Sequence, residues 1–174
     1  MIEAEDTRLG PTAQGITLII VGTYCVYRLF SDNPFNFMHN IHLPIHEAGH
    51  LFFTPLGEFM HFLGGSFFQI FFPFCFTLSF AWRKDWFASL ITLVWVGDSI
   101  IDISFYIGDA WKQQMPLIGG EHDWAYLLGV FDIMHHAEIF GSLAWWAGAL
   151  TLSVGYILAL IYAFTSTGWI KISP

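Results

Sequence analysis

Apolar runs of membrane-spanning length follow one another along nearly the whole chain, separated by short polar breaks. A helix crosses a hydrocarbon core with roughly 20 mostly apolar residues. The first such run covers about Ala13 to Phe30 and carries Arg28 near its end, a side chain long enough to snorkel. The second opens after Pro44, a favourable first-turn residue, and heads towards about Phe62. Pro55 lies inside it and predicts a kink or break after Thr54. The third covers about Ser66 to Trp82, after Gly64-Gly65, and the fourth about Trp86 to Ile107. The fifth starts near Trp124 and ends before Gly141; the sixth runs from about Ser142 to Phe164. This pattern predicts an all-α polytopic membrane helix bundle of about six transmembrane segments, with a polar tail over 1–12 and a single integral membrane domain over 13–174.

Composition agrees with lipid as the solvent. The chain is 55% hydrophobic and 11% charged, where soluble domains carry about 25% charged residues. Trp and Tyr are frequent, as at membrane interfaces. A net charge of −8 with six Lys and Arg argues against a nucleic-acid partner. Cys25 and Cys75 lie in apolar runs and read as buried thiols. The acidic start, Met1-Ile2-Glu3-Ala4-Glu5-Asp6, is unlike a cleavable signal peptide, so the first apolar run is expected to drive insertion, into the inner membrane if the source is bacterial. Clustered positive charge occurs in one connection, Arg83-Lys84, which the positive-inside rule assigns to the cytoplasm. With six spans, the second segment then starts on the cytoplasmic side.

Ionisable residues within apolar runs carry the functional signal, because burying them in lipid costs about 2.5 to 3.5 kcal/mol for an Asp at a helix centre. His46-Glu47-Ala48-Gly49-His50 is an HExxH sequence. His46 and His50 share a helical face and can present two imidazoles to one metal ion. Glu47 can then take a proton from a water bound there, the pattern of a catalytic zinc (Zn2+) site. A third ligand is needed, and Asp98 and Asp102 share a face of the fourth segment. A carboxylate lowers the charge to be buried, which favours Asp102 as third ligand with Asp98 as the other possibility. His122-Asp123-Trp124 reads either as loop and helix N-cap, with Asp123 capping, or as a ligand or substrate group. His135-His136 reads as a pair near a helix end, and the Phe-rich stretch from Phe67 to Phe80 as lipid-facing and packing surface.

Through Ile45-His46-Glu47-Ala48-Gly49-His50 the chain resembles the site-2-type intramembrane zinc metalloproteases. The resemblance implies HExxH on one membrane helix and a metal-completing Asp from a helix two segments later. The Leu-Asp-Gly sequence that usually presents that Asp is absent; Val96-Gly97-Asp98, Ser99-Ile100-Ile101-Asp102 and Phe131-Asp132-Ile133 are stand-ins. The chain also looks like small bacterial membrane proteins that carry His-Glu-Ala-Gly-His and a later His-Asp-Trp. The expected activity is zinc-dependent hydrolysis of peptide bonds in membrane or membrane-proximal substrates. Two other readings stand beside it. One is a non-catalytic integral subunit of a larger membrane complex, packing against partner subunits. The other is a di-iron membrane oxygenase using His39, His42, His46, His50, His135 and His136.

Overall fold

A computed structural model describes residues 8–118 and 121–166. Of the polar tail expected over 1–12, residues 1–7 lie outside the described part. The described chain is helical, without strands: α1 (Pro11–Phe30), α2 (His39–Phe53), α3 (Glu58–Trp82), α4 (Trp86–Asp109), α5 (Asp123–Val130) and α6 (Ala137–Ser166). Single 3-10 turns at Thr54–Leu56 and Met134–His136 follow α2 and precede α6.

Among the described residues, four helices are long and apolar enough to cross a membrane: α1, α3, α4 and the stretch Met134–Thr165 that contains α6. The second and fifth expected segments differ. α2 has 15 residues and α5 has 8, both short of the roughly 20 a crossing needs. The sequence reason for the first is the break anticipated after Thr54. Pro55 supplies no backbone N–H, and Gly57 adopts φ 99°, a left-handed conformation that favours glycine. The apolar run therefore divides at 54–57, and α3 takes over from Glu58 rather than Ser66. α2 begins before Pro44, so this proline sits inside the helix rather than in its first turn. In the fifth segment Asp132 takes φ 55°, and the chain turns before α6 starts at Ala137.

The long helices form an antiparallel bundle. Asp85 caps α4 by accepting from the Ala88 N–H at 3.1 Å, which makes the short turn from α3. α4 and α6 pack closely because small residues face each other: a Cβ on Gly148 would lie 2.8 Å from the Gly97 carbonyl. Leu18 of α1 joins Phe87, Ala159 and Ala163 in one apolar cluster. Cys25 joins Val94, Ile101, Ala149 and Leu152 in another. α1 thus runs parallel to α4. The start of α1, the 83–85 turn and the close of α6 occupy one end of the bundle. The other end, called the site end below, gathers the end of α1, the start of α3 and the end of α4.

Both short helices lie in the half of the bundle nearest the site end. After α1 the chain turns inward: the Asn36 side chain accepts from the Tyr24 hydroxyl at 3.4 Å and from the His39 N–H at 3.1 Å. α2 starts level with the middle of α4, where His42 accepts from the Trp95 indole N–H at 3.1 Å. It then returns to the site end beside α3. α5 lies against α3 as well, with the Trp124 indole N–H donating to the Ser66 hydroxyl at 3.0 Å. Tyr126 stacks on Phe62 at a ring separation of 4.2 Å. α2 was expected to start at the end that carries Arg83-Lys84; instead it starts at mid-bundle and finishes at the opposite end, because it is a half-length helix in a re-entrant excursion.

Candidate metal centre

α2 places His46 and His50 one turn apart on the face that packs against α3. Their Nε2 atoms lie 2.9 and 3.3 Å from one oxygen of Asp123. Among the described residues these three side chains form a group whose ligand atoms all lie within 4.8 Å of one another. Tetrahedral zinc ligands at about 2.0 to 2.1 Å from the ion sit about 3.3 Å apart, so the spacing is close to that of a closed ligand set.

Hydrogen bonding fixes what these atoms can do. His50 Nδ1 lies 2.8 Å from the His61 carbonyl oxygen, which only accepts, so Nδ1 carries the proton. His46 Nδ1 lies 3.0 Å from Gln69 Oε1. The Gln69 amide cannot turn round, because its NH2 donates to Asp102 at 2.9 Å. His46 Nδ1 therefore donates too. In the neutral imidazoles both Nε2 atoms hold lone pairs, and both face a carboxylate oxygen that also offers only lone pairs. One added proton relieves one of the two contacts; a metal ion relieves both. Nδ1–H bonds to a carbonyl and an amide oxygen are also the outer-shell partners that orient metal-binding histidines.

Asp123 reaches this position through local geometry at the start of α5. His122, not Asp123, caps the helix: its Nδ1 accepts from the Ala125 N–H at 3.3 Å. That role leaves the Asp123 carboxylate free to point at α2. The Asp123 N–H donates to the Tyr106 hydroxyl at 3.1 Å, which ties α5 to α4. Tyr106 stacks on His122 with ring centroids 4.2 Å apart. Burial acts to raise the Asp123 pKa, but the two imidazoles beside it, which donate and carry charge when protonated, outweigh that and hold the carboxyl below its ordinary range. Burial likewise pulls His50 down, and Asp123, the His61 carbonyl and Glu47 together carry it above its ordinary value.

Gly65 makes room for the two rings. A Cβ there would lie 2.5 Å from His46 Nε2 and 2.7 Å from His50 Nε2. Glu47, the neighbour of His46, lines a cavity of about 330 Å³ together with His46, His50 and Asp123. The far wall is apolar, built from Leu43, Ile103 and Met115 to Ile118. Asp109 shapes that wall by accepting from the N–H groups of Gln114 at 3.0 Å and Met115 at 2.8 Å. Glu47, His50, Ile118 and Asp123 also line a second cavity of about 340 Å³ that includes His61 and Glu121. His50 and Asp123 are thus shared by both cavities, while His46 lines the first alone.

Asp102 and Asp98, the carboxylates expected to complete the set, lie in a separate cluster. Asp102 is ringed by donors: Gln69 at 2.9 Å, His39 Nδ1 at 3.1 Å, His42 Nδ1 at 3.6 Å and the Arg28 guanidinium at 3.8 Å. His42 Nδ1 carries its proton because Nε2 accepts from Trp95. Asp98 accepts from Arg28 Nε at 2.8 Å and from the Tyr24 hydroxyl at 2.9 Å. Arg28 does not snorkel; it is fully buried here and also lies over the Phe105 ring. In this cluster each carboxylate meets donors, so it is satisfied without a metal. Asp102 accepts hydrogen bonds from His39 of α2 and Gln69 of α3 and draws the Arg28 charge of α1 towards α4, and a one-segment view of helix four did not reveal those partners. The signal for Asp123 was the His122-Asp123-Trp124 triplet in the longest polar connection.

The remaining histidines scatter. His39 and His42 serve the Asp102 cluster, while His135 and His136 lie in the turn before α6 with their rings 4.0 Å apart. Compared with protein-family models, curated proteins and solved structures, the chain gives no match.

Proposed function

We propose that this chain is a membrane-embedded zinc metalloprotease of the HExxH type, with His46, His50 and Asp123 as the metal ligands and Glu47 as the general base. The observation that carries the proposal is the meeting of three lone-pair-bearing atoms, two imidazole Nε2 and one carboxylate oxygen, at 2.9 and 3.3 Å. Two neutral histidines and one carboxylate leave a divalent cation with net charge of about +1, tolerable in a buried site. Zinc bound there supplies Lewis acidity, which acidifies water and polarises a carbonyl.

Glu47 then has two proton-handling tasks. It accepts a proton as the water oxygen bonds to the scissile carbonyl carbon. It returns that proton to the amide nitrogen as the C–N bond breaks. Gln69 and the His61 carbonyl hold the imidazoles in the ligand tautomer throughout. The segment from Met115 to Ile118 gives one side of the cavity an apolar lining. Membrane insertion is part of the proposal: α1, α3, α4 and α6 cross, and the segments containing α2 and α5 enter from one face only.

The test compares new protein N-termini in membranes containing wild type or Glu47→Gln. The proposal expects N-termini that appear with wild type and are lost with Glu47→Gln, while the variant retains its zinc. Identical N-termini in the two membranes would contradict proteolysis and favour a structural metal site in a membrane-complex subunit.

A further inference from the structure

The fold ties the position of the metal centre to the distribution of basic residues, and the tie has a consequence for where substrates come from. α3 and α4 meet through Arg83, Lys84 and Asp85 at one end of the bundle. α1 starts at that same end, since Leu18 packs with Phe87, and Arg8 lies just before α1. Arg8, Arg83 and Lys84 are therefore the basic residues of that end among the described residues. At the site end Lys112 is the exposed basic residue, and it is paired with Glu138 at 2.8 Å. Arg28, near that end in sequence, is buried within the bundle and bound to Asp98, so it is not a loop charge.

Orientation in a membrane follows Lys and Arg in short connections close to the helix ends. Three such residues against one directs the 83–85 end to the cytoplasm. The described parts of the two non-spanning excursions, 31–57, 110–118 and 121–136, lie at the other end. They contain His46, Glu47, His50 and Asp123, and the chamber that holds Glu121 and His61. From these observations we propose that the metal centre opens to the extracytoplasmic face, and that its substrates are polypeptide segments presented on that side of the membrane. The depth fits such access. Tyr106, beside the centre, is three residues from the end of α4, about 5 Å of helix. The Asp98 cluster is at the middle of α4 and farther from either face.

The substrate class named here rests on the protease reading, whereas the orientation does not, so the test addresses orientation alone. Cys75 is replaced by Ser, and Cys25, buried against Val94 and Ile101, serves as the unlabelled background. Single cysteines are then placed by Glu121→Cys and Lys112→Cys at the site end and by Lys84→Cys at the other. Sealed right-side-out and inverted membrane vesicles are treated with a membrane-impermeant maleimide. The inference expects Glu121→Cys and Lys112→Cys to label in right-side-out vesicles and Lys84→Cys only in inverted ones. Labelling of Lys84→Cys from outside, or of the two site-end positions only in inverted vesicles, overturns it. Failure of both site-end positions to label from outside, with full labelling after detergent, overturns it equally. Either result leaves the zinc and N-terminus measurements untouched, so a failed orientation and a failed protease reading are told apart.

Discussion

Two carboxylates of similar burial have opposite surroundings, and that difference decides their roles. Asp123 faces lone pairs, whereas Asp102 faces donors from His39, His42, Gln69 and Arg28. The sequence could rank ionisable residues by how unfavourable their setting is, which singled out His46, His50 and the pair on α4. It could not say which carboxylate was already satisfied, because the satisfying groups come from three other helices. The consequences are separable. Asp98→Asn leaves the buried Arg28 without its nearer charged partner, with Asp102 only at 3.8 Å, and is expected to destabilise the fold by about 3 kcal/mol, read as lower thermal stability in detergent with zinc retained. Gln69→Leu removes the acceptor that orients His46 and is expected to weaken zinc binding by about 10- to 100-fold, read by competition with a chromophoric chelator. A result in which Gln69→Leu binds zinc like wild type would contradict the tautomer argument.

At the level of elements, the site depends on how closely α2 approaches α3. Gly65 leaves the space that the imidazoles occupy, and beside it a Cβ on either Gly49 or Gly64 would collide with the other's carbonyl oxygen. Gly65→Ala is therefore expected to displace both rings and abolish stoichiometric zinc, whereas Gly15→Ala, where a Cβ meets nothing within 4 Å, leaves it intact. Zinc measured on the two purified variants checks this. The break that ends α2 was legible in Pro55, and the start of α4 was placed at Trp86. Half-length helices were not, because an apolar run reports burial without saying whether its neighbours are lipid or protein. α2 is flanked by α3 and α4, and α5 by α3, so their apolar residues are only partly lipid surface. His122 as cap was missed for a similar reason: Asp is the commoner cap, and only the fold shows that Asp123 has another task.

Across the whole molecule, the bundle keeps two polar systems apart and joins them through one side chain. Gln69 donates to Asp102 and accepts from His46, so the mid-bundle ion cluster holds the His46 ring in place. The arrangement predicts a pH dependence with a definite sign. His50 lies above its ordinary pKa because of Asp123, the His61 carbonyl and Glu47, so protons compete for its Nε2 at higher pH than for a free imidazole. Zinc affinity is expected to fall steadily as pH is lowered from about 8 to about 5. Asp123, held below its ordinary range, stays ionised through that window and adds nothing to the loss. An affinity flat across the window would contradict imidazole ligation.

The central claim is that Asp123, rather than a carboxylate of α4, completes the centre with His46 and His50. Zinc content of detergent-purified wild type, His46→Ala, Asp123→Asn and Asp102→Asn tests it most directly. The account predicts about one zinc per chain in wild type and in Asp102→Asn, whose amide oxygen can still accept from Gln69. It predicts loss of that zinc in His46→Ala and Asp123→Asn. Zinc kept in Asp123→Asn and lost in Asp102→Asn would reverse the assignment, and no zinc in wild type would remove the metal centre altogether.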